Sequence, residues 1–129
     1  MCPTSAELID FQFEFEEPRG LLEFNSLPHG FFRMMEEMEE ARIEMEKGDY
    51  EALLVELADT LIFMHSMFGN IVRKLGLAPE EVDRIIEKKA AQNHVKYSME
   101  FFSEGRSTAE AMALAKASWD LTHHKEQPN

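Results

Sequence analysis

Apolar residues recur at helical spacing along most of the chain, and no stretch alternates apolar with polar residues for long enough to predict a sheet. The pattern predicts an all-α fold of four to five helices. Thr4 and Glu7 stand at capping-box spacing and start the first helix, which Pro18 should stop. Pro18, Gly20, Pro28 and Gly30 then punctuate an unusually apolar loop that carries Leu21, Phe24 and Asn25. A second helix is expected from about Phe31 to Lys47, with Gly48 as its left-handed end and Asp49 as the cap of a third, Tyr50 to Leu75. That third helix carries an apolar stripe through Leu57, Leu61, Met64 and Phe68 and stops at Gly76. Pro79 suits the first turn of a fourth helix reaching about Tyr97. Ser107 and Glu110 cap a last helix, whose end should fray from about Thr122.

The turn at Gly48 and Asp49 is so short that the second and third helices must pack as an antiparallel hairpin, the centre of the bundle. This raises a question about the acidic run EEMEE, residues 36–40. A charge run on a helix is ordinarily a solvated face. Glu37 and Glu40, however, are three residues apart and share a face, and Glu56 and Asp59 repeat that spacing on the next helix. Glu40 lies about as far before the turn as Glu56 lies after it, so the hairpin brings the pairs to similar heights. Four carboxylates gathered there repel one another, and a hard divalent cation such as Mg²⁺ or Mn²⁺ resolves that conflict. A di-iron site would need a Glu followed by a His three residues on, and none of these glutamates has one. His29 and His94 read as ordinary polar residues, and His123 and His124 fall in the expected frayed tail.

Charge narrows the partners. Twenty-five acidic against 13 basic side chains give a formal charge of −12 over 129 residues, which argues against nucleic acid or an anionic membrane. A small anionic substrate stays open where a metal supplies positive charge. Cys2 is the only cysteine, which excludes an intrachain disulfide and fits a reducing compartment. No basic segment precedes an apolar one at the start, and Asp59, His65 and Asn70 interrupt the most apolar stretch, so the expected location is the cytoplasm. On the fourth helix Lys89, Asn93 and Lys96 fall at i, i+4 and i+7, a stripe of two cations and an amide. Such a stripe either balances surface charge or grips phosphate.

The ordered set Glu36-Glu37-x-x-Glu40, fifteen residues, Glu56-x-x-Asp59, then Lys89-x-x-x-Asn93-x-x-Lys96-Tyr97 resembles the MazG-like all-α nucleoside triphosphate pyrophosphohydrolases. That superfamily also holds dimeric dUTPases, dCTP pyrophosphatases and phosphoribosyl-ATP pyrophosphohydrolases. The resemblance covers roughly residues 8–97, implying a MazG-like domain over 1–100 and a C-terminal helical extension over 101–129. It implies hydrolysis between the α and β phosphates of a nucleoside triphosphate, a standard or modified dNTP, to the monophosphate and pyrophosphate. Glu37, Glu40, Glu56 and Asp59 would be Mg²⁺ ligands, Glu36 would orient the attacking water, and Glu39 has no assigned role. Lys89, Asn93, Lys96 and Tyr97 would contact phosphates.

The segment FEEPRGLLEFN is similar to the base-proximal segment of the dCTP pyrophosphatase branch. Phe15, Arg19 and Phe24 match it; Leu21 replaces a tryptophan, Asn25 a histidine, and Phe63 stands where that branch often has a tyrosine. The family implies a homodimer or homotetramer with sites built at the interface, and the last helix, with Met112, Leu114 and Trp119, could cover the partner subunit. Two other readings stand beside this one: phosphoribosyl-ATP as substrate, or a non-catalytic acidic helical interaction module.

Overall fold

The computed structural model describes residues 2–24, 26–103 and 105–123. These residues are all-helical: α1 (Ser5–Glu16), α2 (Leu21–Phe24), α3 (Leu27–Lys47), α4 (Tyr50–Leu75), α5 (Glu80–Lys96) and α6 (Thr108–Thr122), with 3-10 turns at Glu17–Arg19 and Met99–Phe101. The expected caps form. Thr4 accepts from the Glu7 amide, Asp49 from Ala52 and Ser107 from Glu110, while Gly48 and Gly76 take the left-handed conformation at φ 75° and 68°. Of the tail expected to fray, residues 124–129 lie outside those described, and so does Asn25.

One region departs from the expectation. The predicted apolar loop over 18–30 is instead a 3-10 turn, the short α2, and a first turn of α3 that starts four residues before Phe31. Pro28 falls at the start of α3, where its missing amide costs nothing. Gly30 is helical and buried, and a Cβ there would meet Met67 Cγ at 3.4 Å. It serves the close approach of α3 to α4 and breaks no helix.

The chain groups into two compact units, Met1–Arg84 and Ile85–Asn129, dividing within α5. In the first, α3 and α4 form the antiparallel hairpin, and α1 lies along the C-terminal part of α4. Ile9, Val72 and Val82 make a small core with Phe68 against it, and α1 comes so close that a Cβ on Gly69 would stand 3.2 Å from Ile9 Cγ2. Asp83 fixes the start of α1 from a distant part of the sequence, accepting from the Ser5 and Ala6 amides at 2.8 and 2.9 Å. His65, 3% exposed, ties the same corner. Its Nδ1 donates to the Leu61 carbonyl at 2.7 Å, and its Nε2 shares a hydrogen bond of 3.0 Å with the Ser5 hydroxyl.

The predicted stripe on α4 is only partly covered. Met64 and Phe68 are half-buried, but Leu57 and Leu61 are 43% and 50% exposed. The buried residues that meet α3 include Phe63, beside Arg33, and Met67, beside Gly30, instead. The cause is that α1 spans only the far half of α4, leaving the face near the Gly48 turn open. By length and composition α4 could also cross a membrane, a property that buried core helices share. In the second unit, α6 buries Ala111 and Ala115 and packs with the Met99–Phe101 turn. Trp119 there stacks on His123 with ring centroids 3.5 Å apart.

Candidate metal centre

The hairpin gathers carboxylates from both helices. One oxygen each from Glu37 on α3 and from Glu56 and Asp59 on α4 lie within 4.8 Å of one another. Glu37 and Glu56 are half-buried; Asp59 is exposed. One turn after Glu56 on α4, the buried Thr60 donates its hydroxyl to the Glu56 carbonyl at 2.9 Å.

Electrostatics ties the group together. Burial, then the charges of Glu40 and Asp59, hold the Glu37 carboxyl above the usual range, with Glu36 adding to the rise and Arg33 opposing it. Burial likewise raises Glu56, followed by the charges of Glu40, Glu37 and Asp59. Glu40, exposed, stands outside the three-oxygen cluster, and its charge acts on both Glu37 and Glu56. Glu36 is exposed and acts on Glu37 through charge alone.

Glu39 separates from its neighbours. Its carboxylate meets Arg42 NH2 at 2.6 Å, and Arg42 also pairs with Glu46. The hydrogen bond from Arg42 pulls the Glu39 pKa down. The run EEMEE is thus split by the helix into a solvated ion-pair face, Glu39, and a convergent face, Glu37 and Glu40.

Three oxygens so close, all from carboxylates and none from nitrogen or sulfur, match the hard-oxygen preference of Mg²⁺, Mn²⁺ or Ca²⁺. Atoms up to 4.8 Å apart are near the span of opposite ligands across such ions, whose oxygens sit at about 2.0–2.6 Å. The residues present therefore fit a divalent cation. The sequence reading missed Arg33, whose charge reaches Glu37 and whose guanidinium lies 5.0 Å from the Phe63 ring centroid. Its i, i+4 spacing to Glu37 was the available signal.

The other expected site residues sit as follows. In the second unit Lys89 and Asn93 are exposed on α5, Lys96 is half-buried with Nζ 5.3 Å from the Tyr97 ring centroid, and Tyr97 follows the helix end. In the first unit, Phe15 lies on α1 and Leu21 and Phe24 on α2, none of them on the expected loop. Arg19, in the 3-10 turn, folds back on Phe15: its guanidinium is 4.2 Å from the ring centroid and donates to the Phe15 carbonyl at 2.9 Å.

Comparison of the chain with known protein families, curated proteins and solved structures returned no match.

Proposed function

We propose that the chain is a Mg²⁺-dependent nucleoside triphosphate pyrophosphohydrolase of the MazG-like kind, cutting a standard or modified dNTP to the monophosphate and pyrophosphate. The observation that supports this reading is the meeting of Glu37, Glu56 and Asp59 oxygens within 4.8 Å across a hairpin whose acidic motifs resemble that superfamily. In this reading Glu37, Glu56 and Asp59 hold the cation, with Glu40, which shares the face of Glu37, assigned as a further ligand on resemblance. A divalent ion held there supplies neutralisation of phosphate oxygens and a bound water of lowered pKa. Glu36, exposed next to the cluster, is assigned to orienting the attacking water. Phosphate contacts are assigned to Lys89, Asn93, Lys96 and Tyr97 on residue type and helical spacing. Phe15, Arg19, Leu21, Phe24 and Asn25 are assigned to the base on resemblance.

The uncovered apolar side chains support assembly as a homodimer or homotetramer. A groove of about 640 Å³ runs between α3 and α4, lined by Met35, Met38, Met45, Leu53 and Leu57 among others, and Leu54 and Leu61 extend the open face. The second reading, a non-catalytic acidic helical interaction module, draws instead on the excess of 25 acidic over 13 basic side chains.

Pyrophosphate release from a panel of standard and modified nucleotides with Mg²⁺ or Mn²⁺ tests the proposal. The expected result is turnover of at least one nucleotide that falls roughly 100-fold or more in Glu37→Gln and in Asp59→Asn. No turnover of any nucleotide, or full rate in both variants, would falsify it.

A further inference from the structure

A second pocket opens in the first unit at the far end of α4. Asn70, Arg73 and Lys74 line one wall and Leu22, Ser26 and Leu27 the other, around about 380 Å³. Arg73 lies fourteen residues beyond Asp59 on the same helix, about 21 Å along its axis, so the pocket is separate from the carboxylate cluster.

Its two cations, Arg73 and Lys74, are neighbours on α4. With 25 acidic and 13 basic side chains, carboxylate partners are abundant. Arg42, Lys47 and Arg84 each pair with a glutamate on their own helix. Arg73 and Lys74 make no ion pair among the described residues. Arg73 is nevertheless held in place: NH2 donates to Asn70 Oδ1 at 2.7 Å, and the guanidinium lies 4.8 Å from the Phe13 ring centroid. One such bond leaves most of its five donors available. Ser26 makes no side-chain capping bond to α3, so its hydroxyl is also uncommitted to the helix.

Basic residues in the last turn of a helix commonly offset the partial charge there, and Arg73 and Lys74 occupy that turn. That role needs neither a stacked, oriented guanidinium nor an opposing wall of Ser26 and two half-buried leucines. The volume lies within the range of small-molecule sites, about 300–1,000 Å³. Two adjacent cations match a dianion, and the fork of Arg73 matches phosphate oxygens in pairs. Leu22 and Leu27 offer apolar contact to whatever carries that phosphate.

We propose that this pocket binds a small phosphate monoester, with Arg73 and Lys74 on the phosphate, Asn70 orienting Arg73, and Leu22 and Leu27 against an apolar body. The site does not depend on the pyrophosphohydrolase reading. Backbone amide NMR of the full chain, in EDTA and at low salt, tests it by titration with inorganic phosphate and with phenyl phosphate. Saturable shifts are expected at Ser26, Leu27, Asn70, Arg73 and Lys74, with phenyl phosphate binding roughly tenfold tighter than inorganic phosphate through its buried ring. Lys74→Gln, an exposed position whose loss leaves the fold intact, should weaken both roughly tenfold or more, and Lys116→Gln should change neither. Arg73→Lys, which keeps the charge and loses the fork, should weaken binding as well. Absence of saturable shifts at these residues, equal binding of the two probes, or unchanged affinity in Lys74→Gln overturns the proposal.

Discussion

Glu37 and Glu39 are two residues apart in one helix and respond in opposite directions to folding. Glu37 holds its proton more tightly than an ordinary glutamate, through burial and the charges of Glu40 and Asp59, and Glu56 does the same. A carboxyl whose folded pKa is raised binds protons that the unfolded chain has released. Its contribution to stability is therefore lost as pH rises from the ordinary value, about 4.3, through the raised one. Glu39, lowered by Arg42, contributes stability above its unfolded pKa that disappears as pH falls. Thermal melts without divalent ions should show Glu56→Gln gaining stability over the parent at pH 7 and losing that advantage as pH falls through the ordinary glutamate range. Glu39→Gln should show no gain at pH 7. These signs follow from which face each glutamate occupies, and the i, i+3 spacing plus a short turn were enough to read that face from the sequence. Arg33 was legible only in part: its i, i+4 spacing places its charge near Glu37, whereas its contact with the Phe63 ring on another helix appears only in the fold.

The helix ends were the most readable part of the fold, since caps are local. Thr4, Gly48, Asp49, Gly76 and Ser107 all act where their spacing places them. The stretch from Pro18 to Gly30 was not, because Gly30 and Pro28 have two uses, and only the packing of Gly30 on Met67 selects the helical one. Asp83 was invisible for the same reason: it caps α1 from 77 and 78 residues away. Asp83→Ala removes the acceptor for two first-turn amides and should cost about 1–2 kcal/mol in urea unfolding, with Asp83→Asn costing less. An unchanged midpoint in Asp83→Ala would mean that α1 starts correctly without it. The stripe on α4 was half readable. Periodicity finds Leu57, Leu61, Met64 and Phe68, but the length of α1 decides which of them are covered.

An open face bearing Leu54, Leu57 and Leu61 beside the Met-lined groove is costly to leave in water. In sedimentation experiments the chain should therefore run as a dimer or tetramer, and Leu61→Glu, already half exposed in one chain, should yield folded monomers. A monomeric parent would leave that face without a homotypic role. The hairpin that carries the face also carries the acidic cluster, and Mn²⁺ binding followed by electron paramagnetic resonance tests that cluster most directly. Saturable binding should weaken roughly tenfold or more in Glu56→Gln and Asp59→Asn and stay at parent strength in Glu39→Gln. Equal weakening in all three variants, or no saturable binding by the parent, would mean that the convergent carboxylates hold no ion.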